Sequence, residues 1–188
     1  LVYIKSKIDD TKVNDYEINK AIFMKLSTPY ASGTSITNVL FSTKDYMLES
    51  KIGKTEIVEE DSSIKGTFIY LPNQYHTGGG YKIGDKYELI ISDNTYNFTI
   101  KGFLNNFMLG QTNGGSILVF TDNDTYNEIC SKQEQTIYVK FDLKEGINSD
   151  RFINDFSSQI SQENPESIIT VRNLENTIEG RTYFAKIL

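Results

Sequence analysis

Lys86–Ile100, KYELIISDNTYNFTI, alternates apolar and polar residues on both sides of a short polar break. Tyr87, Leu89 and Ile91 share one face before the break, and Tyr96, Phe98 and Ile100 share one face after it, against Asn97, Thr99 and Lys101. A strand sends successive side chains to opposite faces, so this spacing predicts two half-buried strands joined by a tight turn at Asp93-Asn94, a β-hairpin. The pattern runs on into Gly102-Phe103.

The flanking segments extend the β character. Gly66–Leu71, GTFIYL, reads as a strand ended by Pro72, and Asn73–Gly80, polar with three consecutive glycines, reads as a loop. Asn105–Gly115 is irregular, and Ser116–Phe120 is a short buried strand. Thr121 or Asp122 caps a helix carrying Tyr126, Ile129 and Cys130, and Thr136–Leu143 is a strand with Ile137, Val139 and Phe141 on one face. Ser149 caps an amphipathic helix whose stripe is Phe152, Ile153, Phe156 and Ile160. Ser167–Val171 is a strand, and Leu174, Ile178 and Phe184-Ala185 line a final helix. At the start, Leu1–Lys7 is a short strand or a helix tail. Asp9-Asp10-Thr11 caps a helix through Tyr16, Ile18, Ala21, Ile22 and Leu26 that Pro29 ends, and residues 30–38 are loop before a strand at Asn38–Thr43. Tyr46-Met47-Leu48 opens a helical turn closed by Ile52-Gly53. The expected architecture is α+β: an α/β lobe of β-α-β units formed by both chain ends, residues 1–45 and 121–188, with a β-rich lobe, residues 46–120, inserted between them.

Composition narrows the function classes. The 188 residues suffice for one large domain or two lobes, and 12 Tyr and 11 Phe offset an apolar share of 38%. A net charge of −6 and the lack of any Lys/Arg-rich run argue against nucleic acid, whose phosphates demand a basic patch. The single cysteine, Cys130, excludes an internal disulfide. No stretch is long and apolar enough to span a membrane. The chain opens on Leu1-Val2-Tyr3-Ile4 and closes on the apolar Tyr183–Leu188, ends expected of a piece cut from a longer protein.

Catalytic patterns are sparse. His76 is the single histidine, and its setting reads as an exposed loop position. His76, Cys130 and Arg172 occur in the chain order of a sortase, but Cys130 sits late in a helix rather than after a strand, which favours a structural thiol. One His and one Cys cannot furnish a usual zinc set, so no metal and no cofactor are expected. Asp122-Asn123-Asp124 lacks the glycine and terminal glutamate of a calcium loop and reads as a helix cap. Glu59-Glu60-Asp61 reads as a solvated turn, and Gly78–Gly80 and Gly110–Gly115 as flexible loops, since neither leads into the Lys-Ser/Thr of a phosphate loop. The chain is therefore expected to be non-catalytic. The candidate partner-binding residues are Phe103, Phe107, Met108 and Leu109, crowded beside a glycine-rich stretch, with Tyr75 and Tyr81 beside the other glycine run. The alternative for Phe103–Leu109 is a loop tucked onto the core.

Three segments together carry a resemblance: Gly66–Pro72, then Tyr81-Lys82-Ile83-Gly84-Asp85 leading into Lys86–Leu89, then Tyr96–Phe103. Over roughly residues 64–104 the chain resembles the extracytoplasmic domain of FtsX-like (MacB-type) ABC-transporter permeases, in which a Gly-Asp turn enters a hairpin that ends in Ile/Val-x-Gly. The resemblance implies a domain on the extracellular side of the cell membrane, between membrane helices of the permease, with ATP hydrolysis in a separate ATPase subunit. It implies coupling of that ATP-driven motion to a peptide, lipid or protein partner outside the cell; the single cysteine fits the cytosol and equally the outside of Gram-positive bacteria, where disulfides are sparse. The other readings are a secreted or lipid-anchored ligand-binding or adhesion module, and a divergent sortase-like transpeptidase.

Overall fold

The hairpin forms as its alternation requires. The computed structural model describes residues 2–43, 51, 55–105, 116–163, 165, 169–173 and 182–187. In chain order the elements are α1 (Val2–Lys5), β1 (Val13–Tyr30), β2 (Gly33–Thr43), β3 (Glu56–Glu60), β4 (Phe68–Pro72), α2 (Asn73–Thr77), β5 (Lys86–Ile91), β6 (Asn94–Asn105), β7 (Ser116–Thr121), α3 (Asn123–Cys130), β8 (Thr136–Leu143), α4 (Ser149–Glu163), β9 (Ile169–Asn173) and β10 (Thr182–Ile187). The fold is α+β. The chain divides into two compact units, residues 1–21, 51–53 and 135–188, and residues 22–50 and 54–134.

In the second unit β5 and β6 pair antiparallel from Ile91–Asn94 out to Lys86–Thr99. The turn is Ser92-Asp93, one residue earlier than its sequence predicts, and both residues have positive φ (47° and 65°), the two-residue turn whose twist matches paired strands. Tyr87, Leu89, Ile91, Phe98 and Ile100 are buried, while Lys86, Glu88 and Ile90 are exposed. β4 runs parallel to β6 and antiparallel to β7, and β7 runs parallel to β2. β4 is buried along its whole length and ends at Pro72, its last paired residue. The core joins Ile22, Val39, Phe41, Ile69 and Leu71 to the hairpin's inner face and to Tyr126 and Ile129 of α3. Each such buried side chain contributes roughly 1.5–3 kcal/mol. Asp122 caps α3 as its sequence predicts, accepting from the Thr125 backbone N–H at 2.9 Å.

In the first unit β8 pairs with the first half of β1 on one edge and with β10 on the other, and β10 pairs with β9, all antiparallel. β8 and β9 are therefore parallel with β10 between them, a split β-α-β whose crossover is α4. The predicted stripe Phe152, Ile153, Phe156 and Ile160 is buried, and Phe141 meets Phe152 and Phe156 edge-on at 5.1 and 5.0 Å between ring centroids.

Several expectations are corrected. The helix expected after Asp9-Asp10-Thr11 is the strand β1. Residues Tyr16, Ile18, Ile22, Met24 and Leu26 also fall on every-second spacing, and long-range pairing with β8 and β2 selects that period. The loop expected over 30–38 is mostly β2, because Ala31-Ser32 turns the chain in two residues, with Ala31 at φ 53° and no glycine there to signal it. Asn73–Gly80 contains the short helix α2. Phe184-Ala185 lies in strand β10, not in a helix. The unit boundaries fall at residues 21/22 and 134/135 rather than 45/46 and 120/121, since β1 gives its first half to one unit and its second half to the other. The turn expected at Tyr46–Leu48 and the residues Leu174 and Ile178 lie outside the described residues.

Candidate functional site

Helix α2 gathers the tyrosines of the second unit. The Tyr75 ring stands edge-on to Tyr30 at 5.1 Å and to Tyr87 at 6.0 Å, and Tyr81 lies 5.5 Å from Tyr87. The Tyr87 hydroxyl donates to the Pro29 carbonyl at 2.9 Å, so the tip of the β1–β2 ribbon is fastened to the hairpin. Burial raises the pKa of Tyr75, a shift opposed by its hydrogen bond with Thr28. Burial also raises Tyr87 far above the ordinary phenol and raises Tyr81, with the nearby Asp85 carboxylate adding to the latter.

The predicted site residues separate here. Tyr75 is 2% exposed and Phe103 0%, the latter on β6 inside the core, so neither offers surface to a partner. Phe103 belongs to the strand because the alternation of β6 gives way to a run buried on both faces, Ile100–Leu104. Tyr81 is half-buried. Phe107, Met108 and Leu109 lie outside the described residues. Gly78 and Gly79 serve close packing rather than flexibility: a Cβ would fall 2.6 Å from the Tyr30 hydroxyl at one and 2.5 Å from the Tyr75 carbonyl at the other.

His76 is exposed on α2 and its ring lies 4.9 Å from that of Phe103. Its Nδ1 is 2.7 Å from the Tyr81 carbonyl, which only accepts, so Nδ1 is the donor of this contact. Cys130 ends α3 in the second unit, whereas Arg172 lies on β9 in the first. Among the described residues no three His, Cys, Asp or Glu side chains gather as metal ligands, and no helix is long and apolar enough to cross a membrane.

A second feature was not legible in the sequence. An open groove of about 330 Å³ runs along β6 at Asn94, Thr95, Tyr96 and Asn97, walled by Thr67, by Thr125 and Glu128 of α3 and by Lys132 in the turn after it. The Lys132 ammonium lies 3.5 Å from the Glu128 carboxylate and 6.0 Å from the centre of the Tyr96 ring, and its pKa is raised by hydrogen bonding to Tyr96 and by Glu128. The groove is thus polar, close to neutral, and rich in hydroxyls and amides. These residue types are common on any surface, and no spacing distinguishes them.

The tyrosine network makes a testable statement. A phenol whose folded pKa is raised adds stability that is whole below the unfolded pKa, about 10, and is lost as pH climbs through that value toward the folded one. Above pH about 10 the second unit is expected to unfold with simultaneous ionisation of its tyrosines, seen as coincident changes in 295 nm absorbance and circular dichroism. Tyr87→Phe should cost about 1 kcal/mol by removing the bond to Pro29. Smooth ionisation with the circular dichroism unchanged would contradict the network.

The fold and its sites define the class: a two-unit α+β domain with a hairpin-bearing unit between the two chain ends. The chain is similar in structure to a domain attributed to a permease of Porphyromonas gingivalis, with a TM-score of 0.45 and 10% identity over 98% of this chain and 80% of that one. It is also similar to the extracellular domain of the noncanonic ABC-type transporter YknZ from Gram-positive bacteria, with a TM-score of 0.44 and 8% identity over 98% of this chain and 86% of that one. No family profile and no curated protein matches the sequence.

Proposed function

We propose that this chain is the extracytoplasmic domain of an FtsX-like (MacB-type) ABC-transporter permease. The observation that carries the reading is the Lys82–Asp85 turn. The Asp85 carboxylate accepts from the Lys82 N–H at 2.8 Å, and Gly84, at φ 90°, takes a conformation that side chains disfavour. The Gly84 N–H then donates to the Ile100 carbonyl at 2.8 Å, and the Ile100 N–H donates to the Asp85 carbonyl at 2.9 Å. The glycine and aspartate of the Ile-Gly-Asp signature, the feature on which the resemblance rests, thus have structural tasks in launching the hairpin, and Ile83 packs partly buried against the core.

In this role the domain performs no chemistry. A separate ATPase subunit hydrolyses ATP, the permease helices carry the motion, and the domain binds or releases a peptide, lipid or protein partner outside the membrane. The test is the full coding region and its product: membrane helices on both sides of these residues, and an ATPase that co-purifies with the intact protein in detergent. A product with one anchor and no ATPase would make the chain a ligand-binding or adhesion module instead. Transpeptidation abolished by Cys130→Ala would make it an enzyme.

A further inference from the structure

The groove beside β6 is an open lane of the sheet. Backbone N–H and C=O groups alternate sides along a strand. The Ile100 N–H donates to Asp85 on the β5 side, and the Thr99 N–H donates to the Thr67 carbonyl on the β4 side at 3.1 Å. By the same alternation, Thr95 and Asn97 direct their backbone groups to the β4 side. β4 pairs with β6 only from Phe68–Thr99 onward, so alongside Thr95 and Asn97 the lane that β4 would fill is the groove itself. Both residues are exposed, and neither backbone N–H has a partner there among the described residues. Helix α3, through Thr125 and Glu128, and Lys132 in the turn after it form the opposite wall.

We propose that this groove binds a short extended peptide by strand addition, the peptide pairing with the Thr95 and Asn97 backbone in the lane ahead of β4 and resting its side chains against α3. A strand edge facing a helix is a known way to hold extended chain, with backbone bonds giving affinity and alternate side chains giving selectivity. The volume of about 330 Å³ suits some three residues, taking roughly 100–130 Å³ for each at close packing. Glu128 and Lys132 lie near each other, so the wall offers one acceptor and one donor and favours a polar, uncharged or zwitterionic segment over a strongly anionic one. A second copy of the chain is a poor occupant, since a lane this short, walled by a helix, admits a free segment more readily than a folded sheet edge. This inference gives the outside partner a chemical class but stands on the groove alone, so its failure would leave the permease reading untouched.

The experiment titrates the isotope-labelled 188-residue chain with a positional library of N-acetylated, C-amidated hexapeptides and carries the best binder forward. The expected result is a downfield shift and slowed hydrogen exchange at the Thr95 and Asn97 amides. Methylating the peptide nitrogens one at a time should weaken binding at least tenfold at alternate positions only. Asn97→Pro, which removes a groove donor not used by β5, and Glu128→Trp, which fills the groove from an exposed helix position, should each abolish binding with the thermal midpoint of Glu128→Trp unchanged. Binding that ignores N-methylation, shifts confined to other residues, or no binding by any pool at millimolar concentration would overturn the proposal. So would binding of maltotetraose or chitotetraose that moves the Asn94 and Asn97 side-chain amides but not the Thr95 and Asn97 backbone, which would make the groove a glycan site.

Discussion

Gly102→Ala is expected to destabilise the second unit by about 3 kcal/mol, at the upper end of overpacking costs. Gly102 sits on β6 where both neighbours press in, paired with Glu60 of β3 on one side and Tyr70 of β4 on the other. A Cβ there would lie 2.5 Å from the Glu59 carbonyl oxygen and 2.9 Å from the Tyr70 ring. Neither obstacle can step aside. The carbonyl belongs to the backbone of a paired strand, and Tyr70 is 0% exposed and stacked edge-on against Phe68. Register irregularities at Ile57/Glu59 and Ile69/Tyr70 flank the contact, so the sheet is already kinked to admit the close approach. The measurement is a denaturant midpoint at unchanged slope. A variant within about 0.5 kcal/mol of the parent, the scatter of ordinary surface changes, would show that β3 and β4 yield and that the glycine is incidental.

The second large effect lies in the first unit. Lys140 of β8 is fully buried and its ammonium is 2.5 Å from the carboxylate of Glu17, directly across the ladder on β1. The same carboxylate accepts from the Lys51 backbone N–H. Burial lowers the Lys140 pKa, and Glu17 partly restores it. Glu17→Ala removes that restoration and is expected to cost about 3–5 kcal/mol, the cost of taking one partner out of a buried ion pair. Glu17→Leu with Lys140→Met should recover most of the loss, because an apolar pair of similar volume carries no desolvation penalty. The pH dependence has a definite sign. With the folded pKa below the unfolded one, the unfolded chain binds more protons between the two values, and stability rises with pH in that window. Removing Glu17 deepens the depression, so the deficit of Glu17→Ala relative to the parent should shrink as pH rises toward the ordinary lysine value of about 10.4. Taking the difference between the two chains cancels the opposite alkaline trend of the tyrosines. A deficit independent of pH would mean that the cost is one of packing alone.

What the sequence determined by itself were the elements with strong local signals. The β5–β6 hairpin, the capped α3 and the amphipathic α4 each satisfy their backbone and bury one face with residues close in sequence, and the period-two pattern marked β8 as a strand although its partners β1 and β10 are distant and both of its faces are buried. The turn residues of the Ile-Gly-Asp entry were legible for the same reason, since the glycine conformation is a local requirement. Tertiary structure alone decided the rest. β1 carries a pattern that fits a helix or a strand, and only pairing with β8, more than a hundred residues away, and with β2 selects the strand. β10 is a strand because it closes the gap between β8 and β9. Of the candidate site, Phe103 was legible as an apolar position but not as a core one, since from Ile100 to Leu104 β6 is buried on both faces and no longer alternates. The groove was not legible at all. Its character comes from backbone groups that β4 leaves uncovered by starting at Phe68, and where a neighbouring strand begins is a property of the assembled sheet, not of the residues that line it.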